Sequence, residues 1–165
     1  MTAMQPGGFR VTRKAASDGG QATRRRGAET HSPVRWFPLG NVPLHELIKH
    51  LRTGLPATIL GEASRYLGVP GAVLYAHLRL GHGAVEGKIG FAGVLSSAES
   101  DRMFRLARVV QRAAAVLGDP PSGNAWVRRK IRALGGVCPV SLLDTEAGYE
   151  LVMDALGRIE HGIFA

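Results

Sequence analysis

The sequence has very few sulfhydryl groups and no long apolar run. Cys138 is the single cysteine among 165 residues, so an intramolecular disulfide is impossible and a reducing compartment is favoured. No His or Asp constellation stands beside Cys138, and we interpret it as a small buried residue rather than a nucleophile. No apolar stretch approaches the roughly 20 residues of a membrane-spanning helix. We therefore expect a cytoplasmic protein.

The sequence also lacks the common motifs of metal binding and catalysis. It contains neither a phosphate loop of the GxxxxGK[ST] type nor a GxSxG elbow, and we find no nucleophile with a partner base. None of the histidines has metal-site spacing with a second Cys or His pair. We therefore expect no enzymatic activity, no cofactor and no metal ion. The histidines are His31, His45, His50, His77, His82 and His161.

Positive charge is concentrated in residues 1–35. The whole chain has a formal net charge of +8, and most of it lies in this stretch, with Arg24, Arg25 and Arg26 in a row. Such a segment can hold nucleic acid by displacing counterions from phosphates, or it can be a solvated extension. Because it shows no helical period, we predict a disordered basic tail over 1–35.

Short helical patterns follow, with order expected to begin at Trp36 and Phe37. Pro43 precedes apolar residues at 44, 47, 48 and 51, one face of a helix that Gly54 would end. Further helices are predicted over 56–67 and 70–80, joined by a tight glycine-bearing turn as in helix-turn-helix domains. Five glycines between 81 and 93 predict a loop, with at most a frayed helix around Ala84–Phe91.

Residues 95–165 contain the clearest helix signals. Ser96 and Glu99 fit a capping box, which opens a helix that ends at Gly118. Four arginines lie largely off its apolar stripe, and we interpret them as a solvated face. Pro120 and Pro121 prevent that helix from continuing. We predict a short helix around Trp126 that carries the basic residues of 128–132 and is ended by Leu134-Gly135-Gly136, and a last helix capped by Asp144 or Thr145. The arginines of the solvated face are Arg102, Arg105, Arg108 and Arg112, and the predicted inner face of the last helix is Leu151, Val152, Ala155, Leu156 and Ile159.

The sequence therefore predicts an all-α fold in three parts. A disordered basic tail over 1–35 precedes a helix-turn-helix-like domain over 36–94. A smaller helical domain follows over 95–165. No segment has the pattern of a strand with a partner.

Several motifs occur in a characteristic order along residues 95–165. They are LSSAESDR at 95–102, RLARV at 105–109, Trp126, ALGG at 133–136, LLDTEAG at 142–148 and LGRIEHG at 156–162. Together they resemble the toxin-binding domain of Xre/MbcA/ParS antitoxins. The triplet Gly54-Leu55-Pro56 is similar to the helix-turn-helix region of that family, which extends a weaker match back to about residue 37.

The resemblance implies an antitoxin that pairs with a RES-domain toxin, a class that destroys cellular NAD or uses it to modify proteins. It implies neutralisation by contact, with the antitoxin's C-terminal segment placed at the mouth of the toxin's NAD site. Members of the family usually form dimers and join hetero-oligomers with their toxins. They also usually bind their operator DNA and repress their operon.

The candidate toxin-binding residues lie between 158 and 164. A pocket for NAD must attract phosphates, so a plug for it should combine an anionic or polar tip with an apolar anchor; an aromatic anchor can reach hot-spot size, at least ~2 kcal/mol. Arg158 can pair with a toxin carboxylate, or it can be a favourable charge at a helix C-terminus. The last turn can instead pack on its own core. The candidates are Arg158, Glu160, His161, Gly162, Ile163 and Phe164.

The predicted recognition-helix region departs from the family. A run like PxRTLxRR is expected there, but residues 81–93 contain one lysine, Lys88, one glutamate and five glycines. A major-groove reader needs a stable helix with polar reach, so specific operator binding by this segment is not expected. If DNA is bound, phosphate contacts from Arg24–Arg26 or from the arginines near Arg128–Arg132 can carry it. The weak DNA-binding candidates are Arg24, Arg25, Arg26, Lys88, Arg128 and Arg129. The alternative functions are a helix-turn-helix transcriptional regulator and a small RNA-binding protein that acts through its tail.

Overall fold

The computed structural model describes residues 36–37 and 42–162, and this part of the chain is all-α as predicted, with no strand. Two isolated β-bridges join Pro56 to Val94 and Ile131 to Val137. The predicted tail over 1–35 lies outside the described residues. The α-helices are α1 (Leu44–Thr53), α2 (Thr58–Leu67), α3 (Gly71–His77), α4 (His82–Gly90), α5 (Ser97–Leu117), α6 (Pro120–Arg128) and α7 (Glu146–Glu160), with 3₁₀ turns at Arg132–Leu134 and Pro139–Leu142.

Helix α5 is the longest helix of the described residues, and α1, α6 and α7 all pack against it. Its predicted capping box is confirmed. The Ser96 hydroxyl accepts a hydrogen bond from the Glu99 backbone N–H at 3.2 Å, and the Glu99 carboxylate accepts one from the Ser96 N–H at 2.6 Å. Met103, Leu106 and Val110 of the predicted stripe are buried. Local sequence therefore places the central helix, and its apolar stripe places the core.

Trp36 and Phe37 are buried, as their two large rings led us to expect. Their rings meet edge to face with centroids 5.9 Å apart. The Phe37 ring also lies 5.9 Å from the ring of Phe104 on α5, and the Trp36 ring lies 6.4 Å from that of Tyr66 on α2. The aromatic pair thus packs on helices from both parts of the sequence. The division into domains at 36–94 and 95–165 stays a prediction.

Helix α4 forms over His82–Gly90, where the sequence predicts a loop with at most a frayed helix around Ala84–Phe91, so the loop prediction is wrong. Val85 is completely buried, and the Lys88 ammonium lies 2.6 Å from the Glu99 carboxylate at the start of α5. A Cβ added at Gly83, Gly87 or Gly90 would meet no atom within 4 Å, so these glycines face open space. Tertiary contacts on one face of α4 therefore outweigh the poor helix propensity of its glycines.

The predicted first helix is confirmed, but much of its apolar face is uncovered. Leu47 is buried, whereas Leu44 is 69% exposed and Ile48 is 40% exposed. Helical spacing identifies which residues share a face, but it does not fix how much of that face another element covers.

Helix α6 contains Trp126, as predicted, but it ends earlier than predicted. Pro120 was expected only to stop the preceding helix, yet it opens the next one, where its missing N–H needs no partner. Asp119 is the N-cap and accepts a hydrogen bond from the Ser122 N–H at 2.7 Å. The helix ends at Arg128, and Arg132 belongs to a separate 3₁₀ turn rather than to a continuation.

Thr145 is the N-cap of α7, one of the two predicted candidates, and its hydroxyl accepts a hydrogen bond from the Gly148 N–H at 3.1 Å. A Cβ at Gly148 would lie 1.9 Å from the Leu142 carbonyl oxygen, so glycine allows the helix to approach the preceding 3₁₀ turn. Val152 and Leu156 are buried as predicted, whereas Leu151 is 45% exposed and does not belong to the inner face.

Two further observations concern the single cysteine and the apolar character of the helices. Cys138 is a free thiol that is partly exposed rather than fully buried as we expected. Across 36–37 and 42–162, no helix has both the length and the apolar character needed to cross a membrane.

Candidate functional site

Three of the four arginines of α5, Arg102, Arg105 and Arg112, are only partly exposed, so their interpretation as a solvated face is wrong, whereas Arg108 is exposed. Arg102 donates hydrogen bonds to the carbonyl oxygens of Leu78 and Arg79, at 3.3 and 3.0 Å, and thereby holds the turn after α3. Arg105 is only 14% exposed and donates to the Leu143 carbonyl at 3.1 Å, just before α7. The long side chains of Arg102 and Arg105 allow their guanidinium groups to reach backbone acceptors on neighbouring segments.

The other two arginines of α5 contact α7 directly. The Arg112 guanidinium forms an ion pair with Glu160 in the last turn of α7. The Arg108 guanidinium lies over the Tyr149 ring, 5.2 Å from its centroid, and 5.6 Å from that of Phe104. Helix α5 therefore holds α7 near both of its ends. Sequence reasoning had no signal for these contacts, because the partners on α7 are distant in sequence.

Four candidate toxin-binding residues come together around the end of α7. Arg158, Glu160, His161 and Gly162 are all exposed. Gly162 has φ +67°, a left-handed conformation, and its N–H donates to the Ile159 carbonyl at 3.1 Å. Arg158 lies in the last turn, so the favourable charge–dipole interaction stays open beside a toxin contact. The remaining two candidates, at positions 163 and 164, lie outside the described residues.

The outer face of α7 carries a feature that sequence reasoning missed. Leu151 is exposed between two exposed carboxylates, Glu150 and Asp154. Over its whole length α7 has four acidic residues and one basic residue. The exposed end of α7 thus continues into an acidic face with an apolar centre. The sequence did contain a signal that Leu151 is exposed, since carboxylates flank it at positions i−1 and i+3.

Tyr149 joins the arginine contacts to the start of α7. Its burial raises the pKa of the phenol, Arg108 opposes this shift and Glu146 adds to it. The hydroxyl is buried without a hydrogen-bond partner among the described residues. Tyr149 therefore stays a neutral phenol at physiological pH, and it packs under the Arg108 guanidinium.

The candidate DNA-binding residues are distributed over separate places. Lys88 on α4 is held by Glu99; partial burial acts to raise the pKa of that carboxyl, but the bonds from Lys88 and Ser96 outweigh burial and lower it. Arg128 donates to the carbonyl of Asn124, at 3.1 Å, and to that of Gly68, at 3.3 Å. Arg129 is exposed. Positions 24–26 lie outside the described residues. Helix α4 therefore offers no free lysine or arginine to a nucleic acid.

The described residues contain no group of three or more His, Cys, Asp or Glu side chains placed to hold a metal ion.

Comparison with known proteins identifies the family. Residues 112–162 match the antitoxin Xre/MbcA/ParS C-terminal toxin-binding domain. The antitoxin Xre of Photorhabdus laumondii is 35% identical over 136 residues, which cover 77% of this chain and 85% of the relative. The antitoxin Xre of Yersinia enterocolitica is 28% identical over 72% of this chain and 81% of its own length. The Prs ADP-ribosylating antitoxin of a Sphingobium species is 31% identical over 70% of this chain and 78% of that relative. The chain therefore belongs to the Xre/MbcA/ParS antitoxin family and is the antitoxin of a toxin–antitoxin pair.

Proposed function

We propose that this antitoxin binds and neutralises a RES-domain toxin that consumes NAD, and that its segment 160–165 blocks the toxin's NAD site. The observation that carries the proposal is the exposed polar end of α7, where Glu160, His161 and Gly162 directly precede Ile163 and Phe164. The name of the Sphingobium relative, an ADP-ribosylating antitoxin, supports a partner that uses NAD, because NAD is the donor in ADP-ribosylation.

Charge complementarity also supports placing the end of α7 at the toxin's NAD site. An NAD pocket must attract the pyrophosphate of its ligand and is therefore expected to be basic. Helix α7 carries four carboxylates against Arg158. Glu146 and Glu160 form ion pairs with Arg105 and Arg112 of α5, so Glu150 and Asp154 are the exposed carboxylates without an ion pair among the described residues. Opposite potentials across an interface speed association and fix its register. The acidic face of α7 with the exposed Leu151 at its centre is accordingly the surface that we place against the rim of the toxin's pocket.

The ion pair of Arg112 with Glu160 supports a positioned tip rather than a loose one. Glu160 is held from α5, and the left-handed Gly162 ends the helix in the manner of a C′ glycine. A plug that is preorganised in the free antitoxin loses less conformational entropy on binding. Arg112 is therefore a positioning residue in this proposal, and Glu160 is a contact residue.

The test is the toxin's NAD consumption in the presence of antitoxin variants. The unaltered chain is expected to stop NAD loss. A chain truncated after Gly157 is expected to bind the toxin and fail to inhibit it. A second truncation, after Gly162, leaves α7 whole and removes only residues 163–165, so it separates the loss of the apolar anchor from any loss of helix stability.

Other outcomes of this test contradict parts of the proposal. If both truncated chains inhibit as well as the full chain, the blocking surface lies elsewhere on residues 95–157. If the unaltered chain does not bind the RES-domain toxin at all, the toxin class is wrong.

We also propose that the antitoxin is a dimer that forms hetero-oligomers with its toxin, as the family resemblance implies. The molar mass of the free chain and of the complex, measured by light scattering during gel filtration, tests this directly. A monomer at micromolar concentration would contradict the dimer.

Repression of its own operon, the alternative function of a helix-turn-helix regulator, has weaker support. Lys88 is the single lysine or arginine of α4, and Glu99 holds it. Direct readout needs arginine, lysine or amide side chains that reach base edges. A gel shift on the DNA upstream of the gene, with a scrambled duplex as the control, decides whether the chain recognises an operator.

A further inference from the structure

Two stretches of the chain contain basic residues and no carboxylate. Between Asp119 and Asp144 the sequence has no Asp or Glu, yet it carries Arg128, Arg129, Lys130 and Arg132. Between Glu62 and Glu86 it again has no Asp or Glu, and Arg65 lies near the start of that stretch. Each stretch therefore presents charge of one sign.

The fold brings these two stretches together where α2 and α6 end. The Asn124 side-chain amide donates to the Tyr66 carbonyl at 2.9 Å, and the Arg128 guanidinium donates to the Gly68 carbonyl at 3.3 Å. Arg65 lies in the last turn of α2, three residues before Gly68. We call the resulting region the basic surface; its residues are Arg65, Arg128, Arg129, Lys130 and Arg132.

All five residues of the basic surface are exposed, and none forms an ion pair with an acidic residue of the described part of the chain. Arg128 is used in part to satisfy backbone carbonyls. Arg129, Lys130 and Arg132 follow the end of α6 and donate no side-chain hydrogen bond to any described residue. These three cations are therefore available to an external anion.

The chemistry of the region favours a polyanion over a protein. Protein interfaces are built around an apolar centre that is depleted in charged residues, whereas Val137, at 38% exposed, is the one large exposed hydrophobic residue in the described stretch 120–143. A nucleic acid backbone presents closely spaced negative charges and needs only cations with reach. We propose that the basic surface binds the phosphate backbone of a nucleic acid without reading its bases.

This site differs from a helix-turn-helix reader in place and in mechanism. It lies at the ends of α2 and α6 rather than on α4. Arg129, Lys130 and Arg132 follow the end of α6 and do not project from an α-helix that could enter a groove. It does not depend on the toxin contact proposed above, because the acidic residues of α7 take no part in it. The expected binding is weak, strongly salt-dependent and indifferent to sequence.

Fluorescence anisotropy of the full chain with a short labelled duplex DNA of arbitrary sequence tests the proposal. The variant Arg129→Gln/Lys130→Gln/Arg132→Gln keeps Arg128 and its carbonyl contacts. Each lost phosphate contact lowers the slope of log K against log salt by about 0.9, so this variant should lose about 2 to 3 of the slope between about 50 and 200 mM salt. The affinity at about 100 mM salt should fall more than about tenfold.

The matched control is Arg24→Gln/Arg25→Gln/Arg26→Gln, which removes the same charge from the other basic segment. It should reduce the slope less than the first variant does. Arg129→Lys/Arg132→Lys should retain most of the binding, because point charges suffice for phosphate contact. Circular dichroism melting should show the same transition for every variant.

Two results would overturn the proposal. One is unchanged duplex binding and an unchanged salt slope for the triple variant of the basic surface, whatever the result for the control at positions 24–26. The other is unchanged duplex binding together with a loss of toxin affinity in the triple variant of the basic surface, which would identify that surface as a protein contact.

Discussion

Arg112 on α5 and Glu160 at the end of α7 form an ion pair 48 residues apart in sequence. Both side chains keep part of their surface in water, at 22% and 39% exposure, so the pair is expected to stabilise the fold by less than about 1 kcal/mol. Its larger consequence is geometric, since it fixes the last turn of α7, from which the proposed plug projects.

Arg112→Gln is expected to weaken inhibition of the toxin without abolishing binding, because it frees the last turn of α7 and leaves the contact residues in place. Glu160→Gln removes the contact and the ion pair together and should weaken inhibition more. The inhibition constant for NAD consumption measures both effects. Glu62→Gln, an exposed charge on α2, is the control for a simple change of net charge. Equal inhibition by all three variants would show that the pair has no positioning role.

Gly148→Ala is expected to destabilise the protein by about 1–3 kcal/mol, because the new Cβ would lie 1.9 Å from the Leu142 carbonyl oxygen and the backbone must shift. Gly157→Ala in the same helix is the matched control. A Cβ there meets nothing within 4 Å, so this variant should be stabilised by roughly 0.5–1 kcal/mol. Urea unfolding of both variants measures the difference. If both alanines stabilise the fold, the packing of α7 on the 3₁₀ turn is looser than described.

The contrast between α5 and α4 shows which parts of the fold the sequence can predict. The start of α5 is local, since Ser96 and Glu99 are three residues apart and their hydrogen bonds need no other element. Helix α4 depends on Glu99 reaching Lys88 from the next helix, and no local pattern contains that contact. A propensity argument therefore predicts the first element and fails at the second.

The candidate site divides in the same way. The motif LGRIEHG identified the end of α7, and the structure places its exposed residues together. Helical spacing shows on which face of α5 an arginine lies, but it does not show which other element packs against that face. We therefore assigned these arginines to solvent. Arg105 and Arg112 reach acceptors on other elements, and those elements are positioned by the tertiary fold rather than by nearby sequence.

Acid is expected to weaken the fold through Glu99. Partial burial acts to raise its pKa, but hydrogen bonds from Lys88 and Ser96 outweigh that effect and lower it. A carboxylate with a depressed folded-state pKa stabilises the fold above its unfolded value, about 4.3, and loses that stabilisation as the pH falls through the folded value. Glu99→Gln should therefore reduce the pH dependence of the free energy of unfolding below about pH 4.3. Urea unfolding from about pH 3 to about pH 6 measures it, with Glu150→Gln on the exposed face of α7 as the control.

Leu151 should contribute to toxin binding far more than to folding. It is 45% exposed, so Leu151→Ala removes little buried area and should change the free energy of unfolding by less than about 1 kcal/mol. Leu156 on the same helix is the matched comparison, because its side chain is completely buried. Leu156→Ala should therefore cost about 2–5 kcal/mol of stability. Urea unfolding measures both changes.

The exposed Leu151 should contribute to the affinity for the toxin. Because apolar anchors at the centre of an interface dominate its energy, Leu151→Ala should raise the Kd for toxin more than about tenfold, a loss of about 1.4 kcal/mol. The melting temperature should fall by no more than a few degrees. Titration calorimetry with the purified toxin measures this Kd. An unchanged Kd would remove the outer face of α7 from the interface, even if the tip of the helix still blocks the NAD site.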